Sequence, residues 1–177
     1  MATCRSPVLS LDEAPTVSGS SGEQFCFTVY ELAHTLGARQ IGASVTKVPP
    51  GKAAFPFHHH RANEEHFFVL QGRGVLRAGA EQYDIKAYDY LFHPPGDASE
   101  AHQLINTGAE DLVYLGFSTM VVPEVVGYPD SGKTGVRIAR GGDPGARFLI
   151  RDDLPRAGYW EGEDGRQVID IVNRHAP

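Results

Sequence analysis

Cysteine is scarce in this sequence. The 177 residues include two cysteines, Cys4 and Cys26, and they do not form a C-x-x-C pair. They could form one disulfide, but two reduced thiols fit better with the intracellular location that the rest of the chain indicates. We therefore expect a fold that does not depend on cross-links.

Long hydrophobic runs are also missing. The longest apolar stretch, residues 112–122, is interrupted by glycine, serine and threonine and is far shorter than a membrane span. No apolar segment follows Arg5 within the first twenty residues, so we do not expect a secretory signal. The expected location is the cytoplasm, and a membrane is not an expected partner.

Positive charge is in short supply. Lysine and arginine number 16 against 22 acidic residues, for a net charge of −6 and a pI of about 5.7. A nucleic-acid-binding domain normally carries a basic stripe. The basic residues here are scattered along the chain, which also disfavours anionic membrane surfaces. The expected partner is a small molecule, and nucleic acid is not expected to be one.

Short β-type segments are abundant between residues 24 and 118. They alternate with turns rich in glycine, proline and aspartate, and no convincing amphipathic helix separates them. The predicted strands are 39–48, 65–71, 74–79, 89–93, 102–106 and 111–118. Many short strands at this spacing predict an all-β sandwich or barrel.

The chain is long enough for one domain with a substantial core. We expect residues 1–22, rich in serine, proline and glycine, to form an N-terminal arm and residues 23–120 to form the barrel. Residues 121–177 then form a C-terminal extension that packs on the barrel or on a partner subunit. Within it, the many glycines predict an extended loop over 127–145, followed by a short strand and a final hairpin.

Three consecutive histidines, His58 to His60, carry the first half of a possible metal site. Residues two apart on a strand point to the same face, so His58 and His60 project together while His59 points away. Glu65 begins the next predicted strand and can reach the same point. Glu64 is the rival carboxylate, but it faces the other way.

The second half of the site follows a Pro-Pro-Gly turn. His102 begins the strand after this turn and can add a third imidazole, with His93, before the turn, as the alternative. Three imidazoles and one carboxylate suit Fe, Mn, Ni, Co or Zn as the divalent ion, and an octahedral ion would keep two open positions. On zinc the same four ligands could close a tetrahedral structural site.

Two motifs in this region resemble those of the cupin family. The first is Gly51, His58-His59-His60, Glu65 and Gly72, and the second is Pro94-Pro95-Gly96, His102 and Asn106. The second motif departs from the family pattern in two ways: Tyr88 replaces its leading glycine, and the gap between Gly96 and His102 is longer by three residues. Carried over by position, the resemblance implies the metal ligands His58, His60, Glu65 and His102.

The resemblance also implies a fold and an assembly. The fold is the double-stranded β-helix, or jelly-roll barrel, and the assembly is a homodimer. The segment "GFSTMVVPEVVGYPDSGK" and the later "GYWEGEDGRQV" resemble a group of small bacterial cupins, some of which carry a sugar-phosphate isomerase label by similarity. Because one fold supports many reactions, this implies a function only weakly.

Three functions follow as hypotheses. The first is a metal-dependent isomerase or epimerase on a small carbohydrate-like or oxygenated acid substrate, which requires further acid–base groups in the pocket. The second is an Fe(II)-dependent dioxygenase, and the third is a non-catalytic binding or sensing module. The first is favoured, but no residue is assigned as its catalytic acid or base.

Overall fold

The structure is a computed structural model that describes residues 6–139 and 147–175. The strands are β1 (Thr16–Ser21), β2 (Phe25–Glu31), β3 (Ile41–Val48), β4 (His59–His60), β5 (Glu65–Gln71), β6 (Arg73–Ala78), β7 (Glu81–Lys86), β8 (Tyr90–His93), β9 (His102–Ile105), β10 (Leu112–Thr119), β11 (Glu124–Tyr128), β12 (Lys133–Arg137) and β13 (Arg147–Arg151). One α-helix, α1, spans Arg166–His175. The all-β prediction is confirmed.

Antiparallel pairing arranges these strands in three sheets. The largest has the order β1-β2-β3-β10-β5-β8, the second the order β7-β6-β9, and the third the order β13-β12-β11-β4. Every pairing within them is antiparallel. This is the double-stranded β-helix that the two motifs imply, and it encloses the core between the first two sheets.

Alternating side chains build that core. Along β9 and β10 every second residue is buried, so that Leu104, Leu112 and Tyr114 point inward while their neighbours are more exposed. They join a cluster completed by Val48, Ala54, Val69, Leu76, Ile85 and Leu91. Burying each large aliphatic side chain contributes about 1.5–3 kcal/mol, so this cluster holds the barrel closed independently of the site.

Asn106, at the end of the second motif, is fully buried and organises a turn. Its side-chain amide donates to the carbonyls of Val48 and Glu110, each at 2.8 Å, and its Oδ1 accepts from the Gly108 amide at 2.9 Å. These three hydrogen bonds use both N–H donors of the side-chain amide and one of the two lone pairs of its oxygen. Asn106 therefore closes the connection from β9 to β10 and plays a structural part.

Tyr88 occupies the position where the cupin motif has a glycine, and the backbone conformation at this position explains the preference for glycine. Its φ is 76°, in the left-handed region that glycine adopts without cost, and its side chain is 78% exposed. The backbone there turns from β7 into β8, with the Tyr88 amide donating to the Val69 carbonyl at 2.8 Å. A tyrosine in this conformation carries about 1 kcal/mol or more of strain.

The C-terminal extension corrects two expectations. In the predicted loop 127–145, residues 127–137 instead form strands, because β11 and β12 pair as a hairpin and β11 pairs in turn with β4. Residues 140–145 of that predicted loop lie outside the described residues. The final hairpin is also wrong: residues 166–175 form α1. Two glycines have specific reasons within the hairpin. A Cβ at Gly127 would collide with the buried ring of His59, and Gly132 takes the positive φ of the turn.

The remaining strand predictions are largely confirmed. All six predicted segments contain strands, and β5 begins and ends where it was expected. Within the predicted N-terminal arm, β1 pairs along its whole length with β2. Over the described ranges, no helix is long and apolar enough to cross a membrane.

Candidate metal centre

Three histidine rings surround one carboxylate oxygen. The Oε2 atom of Glu65 lies 2.9 Å from His102 Nε2, 3.4 Å from His60 Nε2 and 3.8 Å from His58 Nε2. The ligand atoms offered by His58, His60 and Glu65 all lie within 4.8 Å of one another, and His102 joins them through its hydrogen bond to Glu65. The structure thus brings all four sequence-predicted residues together.

The backbone explains why His102 reaches this place despite the longer gap before it. The additional residues form a 3-10 turn, Ala98–Glu100, in which the Ser99 amide donates to the Asp97 side chain at 2.9 Å. The chain then returns antiparallel to His58, and the two histidines exchange backbone hydrogen bonds of 2.8 and 3.2 Å. Because the turn absorbs the insertion, the register of the strand is preserved.

The other ring nitrogens are fixed from outside. His58 Nδ1 donates to the Pro56 carbonyl at 2.8 Å, which leaves Nε2 free to face the cluster. His102 Nδ1 lies 3.5 Å from the Glu100 carbonyl. Such outer contacts hold the rings in one orientation, as the partners of metal-binding histidines do.

Glu124 is a residue of the site that the sequence analysis missed. It is fully buried on β11, and its Oε2 lies 3.7 Å from His60 Nδ1. Its carboxylate accepts from the amides of Arg61, Ala62 and Val125 at 3.0, 3.2 and 2.9 Å, and from the Asn63 side chain. The signal was a single carboxylate inside the apolar segment "VVPEVV".

The cluster shifts the pKa values of its members in opposite directions. Burial, together with the neighbouring His102, lowers the pKa of His58 to about 4. Burial also opposes protonation of His60, but Glu124 and Glu65 outweigh it and raise the pKa of that histidine to about 9. For Glu65, burial is likewise outweighed by His102 and His60, so its pKa falls well below the usual range. A cation at His60 therefore balances the carboxylate.

The donor set fits a divalent transition metal. His60 is the clearest sign, since neither ring nitrogen has a hydrogen-bond partner although both are buried. Unpaired buried nitrogen atoms are costly unless something else binds them. Three imidazoles and a carboxylate are nitrogen and oxygen donors of the kind that bind iron, manganese, nickel, cobalt and zinc. These residues could hold one such ion.

The rival residues lie beside the cluster. His93 is buried, stands opposite Glu65 in the pairing of β5 with β8, and stacks on the His102 ring with centroids 3.9 Å apart. Burial, with His102, lowers its pKa to about 3. Glu64 instead faces the other side of β5, where its Oε1 lies 3.5 Å from His66 Nε2. His59 also points away from the cluster and contacts the Gly96 carbonyl at 3.0 Å.

A cavity of about 660 Å³ opens above the cluster. One wall comes from the barrel and includes Phe67, Tyr114 and Phe117, and the opposite wall comes from β11, β12 and β13. Tyr128 of β11 stacks over His58 at 6.1 Å between centroids. The volume lies in the range of small-molecule sites, which are about 300–1,000 Å³.

Comparison with known proteins supports this architecture. Residues 44–119 match the family described as the cupin domain. The oxalate-binding protein of Thermotoga maritima is 29% identical over 116 residues, which cover 63% of this chain and 88% of that protein.

Two solved structures extend the comparison. A protein of Acidithiobacillus ferrooxidans, provisionally named a sugar phosphate isomerase, has a TM-score of 0.65 and 29% identity, covering 75% of this chain and 81% of its own. A cupin-superfamily sugar phosphate isomerase of Silicibacter pomeroyi has a TM-score of 0.71 over 86% of this chain and 98% of its own. At 21% identity, the second supports the fold alone.

Proposed function

We propose that the chain is a cupin, as the match over residues 44–119 supports, and that it is a metal-dependent enzyme acting on a small polar substrate, of the isomerase or epimerase type. The observation that carries the proposal is the convergence of His58, His60, Glu65 and His102 at the base of the 660 Å³ cavity. These four residues would hold one divalent ion: iron, manganese, nickel, cobalt or zinc. The bound ion would supply Lewis acidity that polarises a substrate carbonyl.

The chain's own residues would perform the remaining tasks. Phe67, Tyr114 and Val126 line the cavity with apolar surface and exclude water from the reacting atoms. Tyr128 covers the His58 ring and limits its rotation. Glu124 holds His60 from behind, so that the ring keeps its direction when a substrate enters.

An isomerase also needs a group that moves a proton. Two further acid–base side chains, Glu31 and His34, line the same cavity. Neither carboxylate nor imidazole takes part in an ion pair or hydrogen bond within the described part of the chain, so both are available to a substrate. A base within hydrogen-bond reach of the substrate carbon is the requirement for this role. The name of the A. ferrooxidans protein points the same way.

A second candidate is a non-catalytic module that binds a small acid. It is favoured by the T. maritima relative, which is named an oxalate-binding protein. The Fe(II)-dependent dioxygenase is the third candidate, and oxygen consumption is its distinguishing property.

Elemental analysis of untagged protein tests the metal centre. We expect about one equivalent of metal in the wild type and almost none in the double variant His60→Ala/His102→Ala, because removing two of four donors leaves too few ligands. Glu64→Gln is the matched control, since Glu64 faces away from the cluster. A folded wild type that takes up no supplied metal would refute the metalloenzyme.

Activity then separates the three functions. Turnover of small hydroxyaldehydes and hydroxyketones without oxygen, reduced in Glu31→Gln while metal content stays unchanged, supports the isomerase. Activity that requires oxygen and iron supports the dioxygenase. Binding without turnover supports the binding module.

A further inference from the structure

The sheet formed by the C-terminal extension presents one face to the cavity. In the register of β11 with β12, Glu124 stands opposite Arg137, and in the register of β12 with β13, Arg137 stands opposite Arg147. Directly opposed residues share a face, so Arg137 and Arg147 lie side by side on the face that carries Glu124. Both arginines line the cavity.

This arginine pair has no acidic partner among the residues that the structure describes. The other guanidinium groups nearby do: Arg151, on the same strand as Arg147, binds both oxygens of Asp153 at 2.7 and 2.9 Å. Arg77 similarly binds Asp130 through two hydrogen bonds. Like charges directly opposite one another destabilise a sheet. An oxyanion between the two guanidinium groups would remove this cost.

The arginine pair lies within reach of a substrate bound at the metal centre. His60 is opposite Val126 on β11, and β12 and β13 follow outward at about 4.8 Å per strand. Glu124, opposite Arg137, is two residues along β11 from Val126, so the Cα atoms of Arg137 and Arg147 lie about 12 and 16 Å from that of His60. An arginine side chain covers part of this distance, and a small substrate bound at the metal centre would cover the rest.

We propose that Arg137 and Arg147 form an oxyanion subsite that binds the carboxylate or phosphate group of the substrate while its other end lies at the metal centre. This inference rests on the proposed function, because it names the chemical class of substrate for that same cavity. Two planar guanidinium groups can bind one carboxylate or phosphate through paired hydrogen bonds. Lys133, whose Nζ lies 5.7 Å from the Tyr128 ring centre, adds positive charge to the same wall.

Three sugars with one common ring test the subsite. Glucose, glucuronate and glucose 6-phosphate differ only at the sixth carbon, which carries a hydroxyl, a carboxylate or a phosphate. Isothermal titration calorimetry measures their binding to the wild type, Arg137→Gln, Arg147→Gln and the control Arg151→Gln. Inorganic phosphate and oxalate are titrated as well, because they carry the anionic group without the sugar.

We expect at least one anionic probe to bind at least tenfold more tightly than glucose. Arg137→Gln and Arg147→Gln should each weaken it by about tenfold, since each guanidinium group donates charge-assisted hydrogen bonds to the anion. Arg151→Gln should change it less than twofold. Preference for the phosphate or the carboxylate member identifies the source of the anion. The subsite is refuted if no anionic probe binds, if glucose binds equally well, or if Arg151→Gln causes the same loss.

Metal content, measured in the same samples, keeps this test separate from that of the proposed function. If the protein binds metal but does not distinguish the anionic probes from glucose, the subsite is refuted and the metal centre is supported. If the protein takes up no metal but still binds anions through the two arginines, the subsite is supported and the metalloenzyme is refuted. Melting temperatures of the three variants verify folding, and loss of one like charge should leave those of Arg137→Gln and Arg147→Gln equal to or above that of the wild type.

Discussion

The two walls of the cavity hold their side chains in different ways. On the barrel wall, His58, Glu65 and His102 are largely buried and each is fixed by further contacts. On the wall from the C-terminal extension, Arg137 and Arg147 extend into the cavity without partners among the described residues. Metal-binding histidines need outer contacts that fix the direction of their rings, and the barrel residues have such contacts. The barrel wall is therefore suited to hold an ion, and the two arginines of the extension are the groups proposed above to bind the substrate.

Glu124 tests whether the two walls act separately, because it belongs to the extension but lies beside His60. We expect Glu124→Gln to weaken metal binding by about 10–100-fold, the usual effect of losing a carboxylate behind a ligating histidine. The variant keeps one acceptor oxygen for the surrounding backbone amides, which limits the damage to folding. Competition with a chelating dye measures the affinity.

The control for that experiment is Glu64→Gln, which removes a carboxylate that does not face the cluster. Equal metal affinity in wild type and Glu124→Gln would mean that the extension takes no part in the metal centre. Metal binding would then depend on the barrel wall alone.

The pH dependence of metal-free protein sharpens the description of the barrel wall. The pKa values of His58 and His93 are lowered to about 4 and about 3, so their stabilising effect is present above pH 6.5 and is lost as the pH falls toward these values. The pKa of His60 is raised to about 9, so its effect is present below pH 6.5 and is lost as the pH rises through 9.

Chelator-treated protein should consequently melt at its highest temperature near pH 6.5. Each displaced pKa unit of a buried group corresponds to about 1.4 kcal/mol. Thermal unfolding from pH 4 to pH 9.5 measures the profile, and His93→Asn should flatten its acidic side. A profile without a maximum in this range would contradict the assigned charges of the cluster.

The smallest effect is expected at the far end of the extension. Every described residue from 147 onward is exposed, including Tyr159, Trp160 and the apolar residues of α1. Deleting residues 156–177 should change the free energy of unfolding by about 0.5 kcal/mol or less, as exposed substitutions do, and should leave metal content unchanged. Differential scanning calorimetry and elemental analysis measure both.

The same deletion tests the homodimer, which stays a prediction. Light scattering on the full chain should give twice the chain mass of 19.2 kDa. A dimer that becomes a monomer on deletion would assign its contact to the exposed end of the extension. A large loss of stability in a monomeric protein would show that this end packs on its own barrel.

The barrel was predictable because its strands follow local rules. Segments such as 65–71 and 111–118 combine β-branched and aromatic residues with bounding turns, and these features need no distant contact to be recognised. The hairpin of β11 and β12 was missed because its glycines resemble a loop in isolation. Gly127 is required only because the His59 ring occupies the space of its side chain, which is a contact between distant parts of the chain.

The final α1 helix was missed for another reason. The segment 166–175 combines isoleucine and valine, which favour strands, with a spacing that favours an amphipathic helix. Local preference alone left both open, and the strand was the wrong choice.

By itself the sequence determined which side chains meet at the centre, because the His-x-His spacing, Glu65 and the turn before His102 encode strand register locally. Only the tertiary structure decided what surrounds them. Glu124 reaches His60 across 64 residues of chain, and Arg137 comes to lie beside Arg147 through strand pairing. Such contacts depend on how separate strands are stacked, which a linear pattern does not contain. The motif therefore predicts which residues would hold an ion, and only the fold brings together the arginines proposed to bind a substrate.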